Sequence, residues 1–171
     1  TEMPKSYDKF AVETWVENAM KYFTARDFKI CSASPAGEKE KVYGYGKSVW
    51  AMIDTQSRQP VDIFSINDGL ISQYIETEKE CPIAASSRVK MSADAQLVRT
   101  IDTYYNDVDV NGHINSVKYI EHILDLFDLD YYKAHFLQRF EIAYVAESHQ
   151  GDKLNFYMEE VGEDEYCIKV T

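Results

Sequence analysis

The stretch Asp107-Val-Asp-Val-Asn-Gly-His-Ile-Asn-Ser-Val-Lys-Tyr-Ile-Glu-His-Ile-Leu-Asp-Leu-Phe127 joins a polar turn to an amphipathic segment. Apolar side chains recur in this segment at three- and four-residue spacing: Ile114, Val117, Ile120, Ile123, Leu124 and Phe127. That spacing predicts one apolar stripe along a helix of about four turns. Such a helix needs an apolar surface to cover.

Strand patterns surround this helix in the second half of the chain. One precedes it at residues 97–105, and three follow it at residues 137–147, 153–161 and 165–171. Glycines separate the last three, which is typical of consecutive antiparallel strands. A curved antiparallel sheet with one apolar face would cover the helix, so this order predicts an α+β fold.

The first half of the chain has strand patterns but no helix before them. These patterns occupy residues 10–17, 20–30 and 41–53, and a turn rich in serine and proline lies at residues 32–38. The composition of residues 81–96 is typical of a linker. We therefore predict two domains, at residues 1–80 and 97–171, with a linker at 81–96.

Composition and charge argue against several classes of function. The net charge of −11 disfavours nucleic-acid binding, which needs a clustered basic face. No run approaches the roughly 18 consecutive apolar residues of a membrane span. Three widely spaced cysteines predict free thiols in the reducing cytoplasm, with neither a disulfide framework nor a zinc site.

Two further patterns do not reach a functional motif. Gly44-Tyr-Gly-Lys-Ser48 ends like a phosphate-binding loop, but Lys41 stands where that loop needs its first glycine. His122 and His135 have no partners at metal-ligand spacing, so no metal is expected.

Polar side chains alternate through the turn before the helix: Asp107, Asp109, Asn111, His113 and Asn115. Asn111 or Asn115 could cap the helix start. Unpaired N–H groups at a helix start, together with the open backbone of Gly112, suit the oxyanion that forms when a carbonyl is attacked. His113 and a nearby carboxylate could activate water. From the spacing alone, a capped polar helix entry explains the cluster equally well.

A second candidate is Glu147-Ser148-His149, at the end of the strand pattern over residues 137–147. A carboxylate at a strand end can project into a cleft. From these residues alone, a solvated glutamate is the simpler interpretation.

Residues 109–120, Asp-Val-Asn-Gly-His-Ile-Asn-Ser-Val-Lys-Tyr-Ile, resemble the Asp-x-Asn-x-His-x-Asn-(x)3-Tyr signature of plant and bacterial acyl-acyl-carrier-protein (acyl-ACP) thioesterases. Further matches cover nearly the whole chain: Glu13-Thr-Trp15, Arg26-Asp27, Ser48-Val-Trp-Ala-Met52 and Tyr144-Val-Ala-Glu-Ser148. The resemblance implies a bacterial member with a tandem pair of hot-dog domains, in each of which a curved antiparallel sheet wraps a helix. By this comparison the first domain lacks its N-terminal strand and helix, and the second its final strand.

The resemblance implies hydrolysis of fatty acyl-ACP thioesters, which releases free fatty acid and ends fatty-acid synthesis. It implies these catalytic residues: Asp109, Asn111, His113 and Glu147. It gives supporting roles to Asn115 and Ser148 and no role to Asp107. Ser148 stands where plant members have a cysteine, which favours attack by water. We expect the backbone N–H groups of Gly112 and His113 to hold the oxyanion.

The implied partner is an acidic acyl carrier protein, whose phosphopantetheine arm presents the fatty acyl chain, so no cofactor of the enzyme is expected. An acidic partner should prefer a local basic dock. The second-half cations available for one are Arg88, Lys90, Arg99, Lys118, Lys133 and Arg139. They could equally be scattered solvated charges. Tandem domains can pair internally, so no dimer is required.

Other functions on the same fold are also possible. A coenzyme A thioesterase is close, because many single hot-dog enzymes share Asp-(x)3-His-x-Asn, although the tandem halves favour the carrier-protein family. A hot-dog dehydratase also uses a histidine and a carboxylate, but the match is to the thioesterase signature. A non-catalytic acyl-binding module is the third alternative, against which the complete Asp/Asn/His/Glu set argues.

Overall fold

The chain was analysed in a computed structural model that describes residues 3–33, 40–84 and 90–171. It forms two compact units, Thr1–Ala85 and Ser86–Thr171. Most of the turn predicted at residues 32–38, and residues 85–89 of the predicted linker, lie outside the described ranges. No helix in the described ranges is long and apolar enough to cross a membrane.

Unit 1 contains an antiparallel sheet of three strands in the order β1-β2-β3. Their bounds are Phe10–Ala19 for β1, Phe23–Ser32 for β2 and Val42–Ala51 for β3. The three strand predictions are confirmed, with shifted ends. Met20 and Phe23 exchange backbone hydrogen bonds of 2.7 and 3.3 Å, so Met20 precedes a tight hairpin turn and β2 starts only at Phe23.

A 3-10 segment at Ile63–Tyr74 follows the sheet of unit 1. Asp62 caps its start by accepting a hydrogen bond from Phe64 N at 3.0 Å. Its helical geometry breaks at Asn67, Asp68 and Gly69, which have φ of 48°, 54° and 73°. Asn, Asp and Gly tolerate this left-handed backbone better than other residues, which explains why no regular helical period marks the segment in the sequence.

A buried carboxylate lies in the middle of the unit 1 sheet. Asp27 on β2 has no exposed surface, and Lys47 Nζ lies 3.5 Å from its Oδ1. The same Lys47 pairs with Glu17 at 2.6 Å. Burial raises the pKa of Asp27, and the neighbouring Glu17 raises it further, while Lys47 opposes both.

We expect Asp27→Asn to stabilise unit 1 at neutral pH. The folded-state pKa of Asp27 is raised, so its ionisation opposes folding above that pKa, and the penalty disappears as the pH falls through it. Both tryptophans, Trp15 and Trp50, lie in unit 1, so tryptophan fluorescence during urea unfolding measures this unit. The gain should shrink on acidification, whereas a variant less stable than wild type at pH 7 would contradict the assignment.

Unit 2 contains a second three-stranded antiparallel sheet, in the order β4-β5-β6, and two helices. Their bounds are Gln96–Asp102 for β4, Lys153–Gly162 for β5, Glu165–Val170 for β6, Ser116–Leu124 for α1 and Leu129–Ala134 for α2. Ile114 and Ile123 form one buried cluster with Leu154 and Phe156 of β5, so α1 packs on the sheet. This arrangement confirms the α+β prediction and the role of the apolar stripe.

Two elements of unit 2 differ from their predictions. The helix is shorter than four turns because the chain turns after Leu124, and Asp128 then caps α2 through a 2.7 Å hydrogen bond from Tyr131 N. The strand predicted at residues 137–147 is wrong, because these residues pair with no strand in the described ranges. Phe140 and Ile142 pack against the core cluster. The alternation of apolar and polar residues in this segment therefore reflects burial of one side, and no sheet pairing accompanies it.

Candidate active site

Asp107 holds together the base of the loop that precedes α1. Its Oδ2 accepts a hydrogen bond from Tyr104 N at 2.8 Å, and its carbonyl oxygen accepts one from Asn115 N at 2.7 Å. Its Oδ1 lies 3.7 Å from Nε2 of His122 on α1. Asp107 therefore ties both ends of the loop together and links them to the helix.

Asp109 organises the tip of the same loop. Its Oδ1 accepts hydrogen bonds from the backbone N–H groups of Asn111 at 2.8 Å and His113 at 3.2 Å. These bonds lower the pKa of Asp109, the Asn111 bond most strongly. Gly112 has φ of +83°, a conformation that glycine adopts without strain. The carboxylate is thus a charged anchor for the loop.

The backbone N–H groups predicted to hold an oxyanion are engaged inside this turn. Gly112 N donates to the carbonyl oxygen of Asp109 at 3.1 Å, and His113 N donates to the Asp109 carboxylate. An N–H group so bonded cannot also serve a substrate oxygen at full strength. Both N–H groups therefore already have acceptors within the loop, and their role in holding an oxyanion stays a prediction.

Asn115 serves as the cap of α1. Its Oδ1 accepts a hydrogen bond from Val117 N at 2.9 Å, which satisfies one of the free N–H groups at the helix start. The side chain therefore acts on the helix, and it fixes the point where the loop and α1 join.

The segment around Glu147 lies directly beside the loop. Ile114 N donates to the carbonyl oxygen of Ser148 at 2.8 Å, and His113 and His149 form an antiparallel bridge. This pairing places Oε2 of Glu147 3.3 Å from Nε2 of His113. The side chains are 51% and 24% exposed, respectively, so solvent and substrate can reach the pair.

The structure therefore brings His113 and Glu147 together beside Asp109 and Asn111, whereas Ser148 takes part through its backbone carbonyl. It also adds His149, whose ring centroid lies 5.2 Å from that of His113. His149 belongs to the second candidate of the sequence analysis, Glu147-Ser148-His149, but no catalytic role was predicted for it.

The cations proposed for docking are mostly paired within unit 2. Lys118 lies 2.7 Å from Glu121, Lys133 lies 2.6 Å from Asp130, and Arg139 pairs with Glu141. Nη1 of Arg99 donates to a backbone carbonyl of residue 125 at 3.0 Å. Arg88 lies outside the described residues. Within the described ranges, no cluster of His, Cys, Asp or Glu could hold a metal ion.

We expect Asp109→Ala to lower kcat/KM for any reaction that His113 assists by about 10²-fold, because displacing a catalytic group by about 1 Å costs that much. Asp109→Asn should lose less, since its amide oxygen can still accept from residues 111 and 113. Both variants should be assayed with melting temperature as a folding control. Equal losses for the two variants would contradict the anchoring role.

Comparison with known proteins places the chain beside one family. Residues 1–74 match the family model of the acyl-ACP thioesterase N-terminal domain, and residues 90–170 match that of its C-terminal domain. A palmitoyl-acyl carrier protein thioesterase from chloroplasts of Gossypium hirsutum is 28% identical over 145 residues, which span 82% of this chain and 34% of that protein.

Solved structures show the same likeness. A crystal structure of an acyl-ACP thioesterase from Bacteroides thetaiotaomicron matches with a TM-score of 0.85 and 44% identity, over 99% of this chain and 65% of that one. A 12:0-ACP thioesterase from Umbellularia californica shares the fold, with a TM-score of 0.72 and 18% identity over 94% and 62% of the two chains. The chain thus spans about a third of its curated plant relative and under two thirds of these solved chains.

Proposed function

Because the chain belongs to the acyl-ACP thioesterase family, with its hot-dog fold, we propose that it hydrolyses fatty acyl-ACP thioesters. The products are a free fatty acid and the thiol of the carrier, so the reaction ends fatty-acid synthesis. One observation carries the proposal: His113 Nε2 lies 3.3 Å from Glu147 Oε2, next to the loop that Asp109 anchors.

In the proposed mechanism His113 is the general base. Glu147 is an acceptor, so the proton of the neutral imidazole sits on Nε2 and the lone pair on Nδ1. Nδ1 then takes a proton from water as the water oxygen attacks the thioester carbon. Glu147 stabilises the imidazolium that forms, as a carboxylate does in a hydrolytic triad.

We assign oxyanion stabilisation to the Asn111 side chain in place of the backbone groups. Asp109 accepts a hydrogen bond from the backbone N–H of Asn111 at 2.8 Å, which holds residue 111 at the tip of the loop. The side-chain amide of Asn111 has two N–H donors, and in this proposal one of them donates to the developing oxyanion. When the C–S bond breaks, the imidazolium returns its proton to the leaving thiolate, and the cycle balances.

Water is the proposed nucleophile because the loop and its neighbouring segment contain no cysteine. Residue 148 is a serine, and it contributes a carbonyl oxygen that holds Ile114 in place. Cys167 lies on β6, Cys31 is buried on β2, and Cys81 belongs to unit 1. A thiol nucleophile therefore plays no part in this mechanism.

The proposed substrate class rests on the family to which the chain belongs. The phosphopantetheine arm of the carrier brings the thioester to His113, so the enzyme needs no cofactor of its own.

The test compares one acyl chain on two carriers, acyl carrier protein and coenzyme A, over graded chain lengths. The proposal predicts a higher kcat/KM with the acyl carrier protein and inhibition by the carrier lacking its acyl chain. A higher kcat/KM with coenzyme A would favour the acyl-CoA alternative. Stoichiometric binding of acyl-ACP without hydrolysis would favour a non-catalytic acyl-binding module. The matches to known proteins favour neither alternative.

A further inference from the structure

We propose that His149 is a positioning residue of this site, whose ring contact fixes the plane of the His113 imidazole against Glu147. The kinetic part of this inference rests on the proposed thioesterase function. The ring contact itself does not, so it can be tested separately.

The backbone of His149 is held from several sides. Its N–H donates to Asp152 Oδ2 at 2.7 Å, and its carbonyl oxygen accepts from Thr103 Oγ1 at 3.0 Å and from Asp152 N at 3.1 Å. Thr103 is only 3% exposed and also accepts from Gly151 N at 2.9 Å. The buried hydroxyl of Thr103 thus holds the turn in place. The exposed imidazole of His149 lies at the start of this turn.

The same pairing aims two side chains at His113. Glu147 Oε2 lies 3.3 Å from His113 Nε2, and the His149 ring contacts the His113 ring, so both side chains lie on the side that faces His113. His149 bridges His113 through the backbone, and their rings meet edge to face, 5.2 Å apart and at 78°. Edge-to-face contact is a favoured geometry for aromatic rings because it sets a positive edge against a negative face.

Glu147 alone cannot fix the base. A single contact at Nε2 restrains one atom of the imidazole, and the ring can still rotate about its side-chain bonds. A second contact against the ring restrains its plane and hence the direction of the Nδ1 lone pair. The side chain of His149 is 62% exposed, so it contributes little buried surface. Its contribution is to orient the His113 ring.

The kinetic test uses two substitutions and a matched control. We expect His149→Ala to lower kcat for acyl-ACP hydrolysis by about 2- to 10-fold, the range of an edge-to-face pair, with KM unchanged. His149→Phe keeps a ring without the imidazole nitrogens and should restore most of the loss. Gln150→Ala, an exposed neighbour in the same turn, should match wild type. All variants should keep the wild-type melting temperature.

The second readout does not need the reaction. The ring current of residue 149 should shift the His113 ring-proton NMR signals, so they should move in His149→Ala and stay near their wild-type positions in His149→Phe. Unmoved signals in His149→Ala would overturn the contact. Moved signals with unchanged kcat would overturn the positioning role. If wild type hydrolyses no acyl-ACP, the proposed function fails, while the NMR shift still decides whether His149 orients His113.

Discussion

His113→Ala is expected to lower kcat/KM for acyl-ACP hydrolysis by about 10²- to 10⁴-fold, the usual contribution of a general base. In the proposed mechanism, the substitution removes the nitrogen that takes the proton from water, and it also removes the 3.3 Å contact with Glu147. The His113 side chain is partly exposed and its backbone N–H remains, so the loop should keep its fold. We therefore expect kcat to fall while the melting temperature stays close to that of wild type.

The matched control for this variant is His135→Ala. His135 belongs to the same unit and also faces a carboxylate, since its Nε2 lies 3.5 Å from Asp164 Oδ1. His135 follows the last residue of α2 and lies outside the loop that precedes α1. We expect hydrolysis by His135→Ala to stay within about 2-fold of wild type, because its contacts with Asp164 and Tyr131 lie outside the loop and away from Glu147. Similar losses for both histidine variants would contradict a specific role for His113.

Phe156→Ala is expected to destabilise unit 2 by about 3–5 kcal/mol, the usual cost of truncating a buried phenylalanine. Phe156 has no exposed surface, and it lies on β5 within the cluster that also holds Ile114 and Ile123. Its ring also meets that of His122 on α1, with centroids 6.3 Å apart. The cavity left by the phenylalanine ring would lie beneath α1 and the loop that precedes it.

This loss is measured best by hydrogen exchange, because both tryptophans report on unit 1. Amides of β5 and α1 should exchange faster in Phe156→Ala, while those of β2 should change little. The control is Phe136→Ala, because Phe136 is 66% exposed and its truncation should cost almost nothing. Unchanged protection of β5 in Phe156→Ala would show that the cluster does not stabilise unit 2.

The features that could be predicted from sequence are those with local causes. The apolar stripe from Ile114 to Ile123 reflects the helical period, and it led to α1 and its contact with the sheet. The strands of unit 1 follow from local alternation and turn residues. The polar loop was identified because Asp109, Asn111 and His113 share one short stretch.

The features that were missed depend on contacts between distant residues. The pairing of Ile114 with Ser148 sets the distance from Glu147 to His113, and no local pattern encodes it. The same pairing makes His149 a neighbour of the base. The N–H groups of Gly112 and His113 donate hydrogen bonds to the carbonyl and carboxylate oxygens of Asp109. These bonds depend on the conformation of the loop, which residue spacing alone does not reveal.

The most direct test of the central claim is fatty-acid release from an acyl-ACP, measured for wild type, His113→Ala, Glu147→Gln and the double variant. If the two residues act as one unit, wild type hydrolyses the thioester and the double variant is hardly slower than His113→Ala alone, because such effects are non-additive. A double variant that releases fatty acid at the wild-type rate would contradict the account.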